Sequence, residues 1–369
     1  MSLEDRVKPH IAKLEPYQPG KRTDEVEREL GVRDAVKLAS NENPCGPSPR
    51  AIAAVQELAG SVDQYPDRSC RQLRSRLAEH VGGAPEQVIV GAGSDEIIEL
   101  LAKVFLGPGD EMICPWPSFA MYRVAAQSVG AKLVRVALDD DLVHDLDAMA
   151  ATVTERTRIV VVCNPNNPTG TSVSREAFDR FAAALPDDVV LVVDEAYVEY
   201  AQREDFPDTL AWTRRRPGTL ALRTFSKLYG LAGLRVGYGI ADADLCAWLE
   251  RVRPPFGVTR LAEAAACAAL NDREHIERSL RVNAEGLQYL EREIAALGYR
   301  IWPSDASFVL VRVAPGVGDA LMRLGVIVRS LDGFGLPDCV RVSVGSPEAN
   351  ERCVKALRHL REGGASSLR

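Results

Sequence analysis

VVLVVDEA, residues 189–196, is a run of five apolar side chains that stops abruptly on two carboxylates. A short β-branched run without polar alternation reads as a strand covered on both faces, the usual state of a central strand in a parallel sheet. Working outward, similar runs occur at QVIVGAG (87–93), EMICP (111–115), KLVRVAL (132–138), RIVVVCNP (158–165), TLALRTF (219–225) and LRVGYGIA (234–241). Helical patterns such as SDEIIELLAKVF (94–105) and SREAFDRFAAAL (174–185) fall between them. The alternation predicts an α/β domain with a mainly parallel seven-stranded sheet wrapped by helices.

Beyond residue 255 the pattern changes. One long helical stretch covers 261–297, and short strands follow at SFVLVRV (307–313), VIVRS (326–330) and CVRVSVG (339–345) before a last helix. This predicts a smaller α+β domain. The expected division is an N-terminal segment 1–37 packing beside the smaller domain, a large domain 38–255 and a small domain 256–369.

The chain has 369 residues, 26% charged and 46% hydrophobic, with a net charge of −7. That size supports a core without staples, and the acidic balance argues against a nucleic-acid partner. The start, MSLEDRVKPH, lacks the apolar run of a signal peptide, and no apolar stretch reaches membrane-spanning length. The expectation is a cytoplasmic protein with no membrane partner. Eight scattered cysteines without a C-x-x-C, and five dispersed histidines, predict neither a disulfide framework nor a metal site.

Ligands of open parallel sheets bind outside the carboxyl ends of the strands. Four unusual segments fall there: GAGSDE (91–96), NPNNPTG (164–170), DEAY (194–197) and TFSKLYGLAGLRVGYG (224–239). GAGSDE turns a strand into a helix whose free N–H groups suit a phosphate. It also reads as a plain βα turn, and as a dinucleotide fingerprint it fails where Glu96 replaces the third small residue. Asp194 at a strand end reads either as a helix cap or as the partner of a protonated ring nitrogen. Asn167 reads as part of an Asn-Pro turn or as an amide donor, and Tyr197 offers a phenol to the same space.

Lys227 is the centre of the pattern. A loop lysine is ordinarily a solvated charge, but this one directly follows the hydroxyls of Thr224 and Ser226, with Arg235 close behind. An amine made less basic by burial and a neighbouring cation forms an imine with an aldehyde. Hydroxyls and Arg235 suit a phosphate dianion. An aldehyde carrying a phosphate, a protonated ring nitrogen and a phenolic oxygen describes pyridoxal 5′-phosphate.

With these motifs in order, together with PYQPG (16–20), LASNENPCGPS (38–48), YPD (65–67), PSFAMY (117–122), DEAYVEY (194–200) and VRVSVG (340–345), the sequence resembles the fold-type I, pyridoxal-phosphate-dependent aminotransferases of class I/II nearly end to end. Within them it is most similar to the histidinol-phosphate branch. The resemblance implies that Lys227 is catalytic and that Asp194 holds the pyridinium. It implies that Asn167 and Tyr197 bond the ring's O3′, and that Phe119 stacks on the ring where some relatives carry tyrosine. Ala92, Gly93, Ser94, Thr224, Ser226 and Arg235 would cradle the phosphate. Tyr65 would cross to the site of a second subunit, so a homodimer with shared sites is implied. Tyr17, Asn43, Arg329 and Arg341 would bind substrate, an amino donor first and a 2-oxo acid second. The expected reaction converts L-histidinol phosphate and 2-oxoglutarate to imidazole acetol phosphate and L-glutamate. Related frameworks serve aromatic amino acids, decarboxylate threonine phosphate, or act as non-enzymatic cofactor-binding regulators. The absence of a DNA-binding module's length before residue 38 argues against the last.

Overall fold

The computed structural model describes residues 2–16 and 20–363. Tyr17 lies outside the described residues. β1 (Val36–Leu38) comes first, followed by β2 (Val88–Gly91), β3 (Glu111–Trp116), β4 (Lys132–Ala137), β5 (Thr157–Cys163), β6 (Val190–Asp194), β7 (Thr219–Thr224) and β8 (Gly237–Ile240). The last four strands are β9 (Ile301–Trp302), β10 (Phe308–Arg312), β11 (Val326–Ser330) and β12 (Cys339–Ser343).

Strands β2 to β8 form one seven-stranded sheet in the order β2-β8-β7-β6-β5-β3-β4. All neighbours are parallel except that β8 runs against both β2 and β7. Residues 225–236, which contain Lys227, hold a 3-10 turn and no crossover helix, and the chain returns as β8 antiparallel to β7. β8 also begins later than the apolar run at 234 suggests. Ala232–Leu234 forms a 3-10 turn and Arg235 adopts a left-handed backbone with φ 54°, so regular pairing starts only at Gly237.

Alternate residues of the central strands feed two cores, as a two-sided sheet requires. Ile159, Val161, Val190, Val192, Leu220 and Leu222 pack with the helix Ser94–Phe105 on one face. Val160, Val162, Leu191 and Val193 pack with Phe178 and Phe181 of the helix Arg175–Ala184 on the other. Each such fully buried aliphatic side chain contributes about 1.5–3 kcal/mol. Ser174 caps the second of these helices, accepting from Ala177 N, and the first begins at Ser94 as its pattern predicts.

The smaller sheet has the order β1-β11-β12-β10-β9, antiparallel except for β1 beside β11. The helices Arg273–Ala296 and Pro347–Gly363 cover it through Leu290, Ile294 and Leu357. The predicted single helix at 261–297 is instead two. Asp272 accepts from His275 N and starts a new helix, while Ser48 Oγ donates to the same carboxylate at 2.5 Å. The first piece, Arg260–Leu270, presents a row of buried alanines and packs in one core with Ala51, Leu73 and Leu77 of the larger layer.

All eight cysteines are free. Among the described residues no cluster of three or more His, Cys, Asp or Glu is placed to hold a metal, and no helix is long and apolar enough to cross a membrane.

Candidate active site

Because β5, β6 and β7 are parallel and in register, with Cys163 opposite Asp194 and Asp194 opposite Leu222, their carboxyl ends share one rim. A cavity of about 140 Å³ opens there. Nine of the residues predicted from the sequence line it: Ser94, Phe119, Asn167, Asp194, Tyr197, Thr224, Ser226, Lys227 and Arg235.

Asp194 ends β6 and is 3% exposed. Burial pushes its carboxyl up to about 6, against the stabilising pull of two donors. Tyr122 Oη donates to Oδ2 at 2.6 Å, and Ala196 N to Oδ1 at 3.1 Å. The neighbouring charges that act on it, Asp95 and Glu195, are both negative. A buried carboxylate so placed gains from a cationic ligand. Tyr122 is the partner that the sequence reading missed, although it closes the PSFAMY motif. Phe119, three residues earlier, meets it edge-on at 5.7 Å.

Lys227 is half-buried, and its Nζ donates to Ser40 O at 3.2 Å. Burial first, and then the positive charge of Arg341, brings its amine down to about 8. Nζ stands 5.8 Å from the Tyr197 ring. The Tyr197 phenol accepts from Asn41 Nδ2 at 2.8 Å. Asn41, with φ 55°, is held by Ser343 and was not singled out in the sequence. Asn43, which was, directs Nδ2 to Leu228 O and Ser279 Oγ at 2.6 and 3.0 Å.

The anion cradle is built by two glycines. At Gly93, φ is +82° and an added Cβ would lie 2.6 Å from Arg235 Nη2. At Gly237 an added Cβ would lie 2.4 Å from Ser94 N. Bare backbone therefore lets the guanidinium and the helix N-terminus share one small space. Arg235 donates to Ala232 O at 3.1 Å and Ser226 Oγ at 3.4 Å, and pairs with Asp95 at 3.1 Å. Thr224 Oγ1 accepts from Ser226 N. The Ala92 amide is already engaged by Glu96 Oε2 at 2.7 Å.

Arg341, on β12, is buried and spans both layers. Nη1 donates to Asn167 Oδ1 at 2.5 Å and Nη2 to Ala39 O at 2.6 Å. Arg329 lies opposite it on β11, over the Phe334 ring. Tyr65 stands apart from the cavity, 81% exposed and stacked on Phe256.

Cradle, buried carboxylate and softened amine thus meet at one rim. The family model for class I and II aminotransferases matches residues 33–357. A histidinol-phosphate aminotransferase of Moorella thermoacetica is 47% identical over 95% of this chain and 92% of its own. One from Akkermansia muciniphila is 44% identical over 98% and 100%. Among solved structures, histidinol-phosphate aminotransferase from Sinorhizobium meliloti in complex with pyridoxal-5′-phosphate superposes with a TM-score of 0.89 at 29% identity, covering 97% of this chain and 98% of that one. Matched along nearly its whole length, the chain belongs to the class I and II aminotransferases.

Proposed function

We propose that this protein is a pyridoxal 5′-phosphate-dependent histidinol-phosphate aminotransferase, taking L-histidinol phosphate as donor and 2-oxoglutarate as acceptor. The residues present fit the cofactor. Gly93, Ser94, Ser226 and Arg235 offer a dianion site whose space a single Cβ would fill. Asp194 offers a buried anion for the ring nitrogen, and Lys227 an amine for the aldehyde. Bound there, the cofactor supplies an aldehyde that engages the donor's amino group and a ring that accepts the electrons left when Cα loses its proton.

The chain's own residues do the rest. Asp194, kept in place by Tyr122, holds a proton on the ring nitrogen, since an adjacent cation favours its ionised form. Lys227, titrating near 8, is free base in about one molecule in ten at pH 7, and so serves to remove and return the Cα proton. Asn167 and Tyr197 orient the cofactor's phenolic oxygen, and Phe119 covers the ring. Taking donor and acceptor in turn at one site gives ping-pong kinetics.

The choice of donor is supported by the near full-length similarity to histidinol-phosphate aminotransferases, and the arginine pair on β11 and β12, Arg329 opposite Arg341 with Arg341 tied to Asn167 at the cavity edge, offers cations for the donor's acidic group. Guanidinium groups grip a phosphate or a carboxylate by paired hydrogen bonds. Tyr65 does not line its own chain's cavity and is exposed, which suits a residue that completes the phosphate site of a second copy; the working enzyme is then a homodimer. The test is a titration of holoenzyme with L-histidinol phosphate, L-phenylalanine and L-glutamate, following the cofactor's visible absorbance. Conversion at far lower concentrations of histidinol phosphate is expected. Preference for phenylalanine would overturn the donor assignment and leave the chemistry standing.

A further inference from the structure

The loop that carries Tyr65 is held by one segment, residues 253–260. Buried Arg253 donates to Arg68 O. Arg260 Nη1 donates to Gln64 Oε1 at 2.6 Å and to Ser61 O at 3.4 Å. Between these two clamps Phe256 stacks on Tyr65, ring centroids 4.7 Å apart and planes 28° from parallel. A ring as exposed as Tyr65 samples several rotamers unless a neighbour selects one, and ordering it in advance lowers the entropy lost on binding.

The backbone makes an unusual concession to place that neighbour. Phe256 has φ +63°, a region that bulky side chains rarely adopt. The next residue fixes the turn from the other side. An added Cβ at Gly257 would lie 3.1 Å from Glu96 Oε1, and Glu96 in turn holds the Ala92 amide. The turn is thus seated against Glu96, which braces the strand-to-helix turn at Ala92, while its aromatic ring faces Tyr65. Strain of this kind persists where the surroundings over-determine the conformation.

We propose that Phe256 is a positioning residue for Tyr65, holding the phenol in the direction from which it completes the cofactor-phosphate site of a second copy of this chain. The proposal rests on the shared-site reading above. Its magnitude follows from the stack: an aromatic pair of this geometry is equivalent to about 2- to 12-fold in an equilibrium constant.

The experiment measures the rate at which cofactor leaves the holoenzyme into an excess of scavenger, for the wild type, Tyr65→Phe, Phe256→Gly, Phe256→Tyr and the double variant Tyr65→Phe/Phe256→Gly. Glycine adopts the left-handed backbone without strain, so that variant removes the ring and leaves the turn's conformation accessible. Phe256→Leu, which keeps bulk without a stacking face, replaces it where the glycine variant fails to fold. Tyr65→Phe and Phe256→Gly are each expected to speed release, Phe256→Gly by about 2- to 12-fold. Phe256→Tyr should restore the wild-type rate, and Phe256→Gly should have no further effect once the Tyr65 hydroxyl is gone. A purely structural role would instead speed release equally in both backgrounds, which overturns the proposal. So does an unchanged rate for Phe256→Gly beside a faster Tyr65→Phe. An unchanged rate for Tyr65→Phe itself overturns the shared-site reading and the proposal with it.

Discussion

Replacing Asp194 by asparagine should stabilise the cofactor-free protein while abolishing its use of the cofactor, and the gain should depend on pH in a stated direction. The folded protein keeps the Asp194 proton up to about pH 6, whereas the ordinary value is 3.8. Between those values the native state binds more protons than the unfolded chain, so stability falls as pH rises through the window. Above pH 6 the full cost is in place: a shift of about 2 units, or about 3 kcal/mol. Asparagine is nearly isosteric and carries no charge to desolvate; its Oδ1 keeps the Ala196 N–H while its Nδ2 donates to Tyr122 Oη, whose hydroxyl can accept. For a chain of this length the relief corresponds to about 4 °C in Tm. Thermal unfolding of the cofactor-free wild type and Asp194→Asn, at equal protein concentration, should show that gain at pH 8 and little of it near pH 4. An equal gain at both pH values, or a loss at pH 8, would refute the claim that burial without a cationic partner sets this carboxyl's behaviour.

Acylation of Lys227 in the cofactor-free protein, read by peptide mass spectrometry, should reach half its limiting rate near pH 8 rather than at the 10.5 of an ordinary lysine. Gly93→Ala forces an L side chain to φ +82° with its Cβ on Arg235 Nη2; cofactor affinity measured by fluorescence should fall by about tenfold or more. Arg341→Lys loses the fork that bonds Asn167 and Ala39 together, and steady-state kinetics should show the donor's KM rising by about 10- to 100-fold with a smaller change in kcat.

What the sequence reveals and what it hides divide along sequence separation. The strand cores are legible because apolar runs such as VVLVV record burial on both faces locally, and Gly93 and Asp194 are legible because strand ends of a parallel sheet share a rim. The reversed β8 follows a Lys227 linker that holds no crossover helix, and the break at Asn271 and Asp272 depends on a cap that the alanine-rich helix before it obscures. The contacts that tune the site are invisible to local pattern. Tyr122 meets Asp194 across 72 positions, Arg341 meets Asn167 across 174, and Asn41 meets Tyr197 across 156. Nothing near Asn41 distinguishes it from Asn43; only the fold shows which amide reaches the phenol.

The most direct test of the account is borohydride reduction of the holoenzyme followed by peptide mass mapping. A pyridoxyl mass on Lys227, and on no other lysine, is the predicted result. A label absent from Lys227, or carried by a lysine outside the cavity at the ends of β5, β6 and β7, would contradict the assignment of this site.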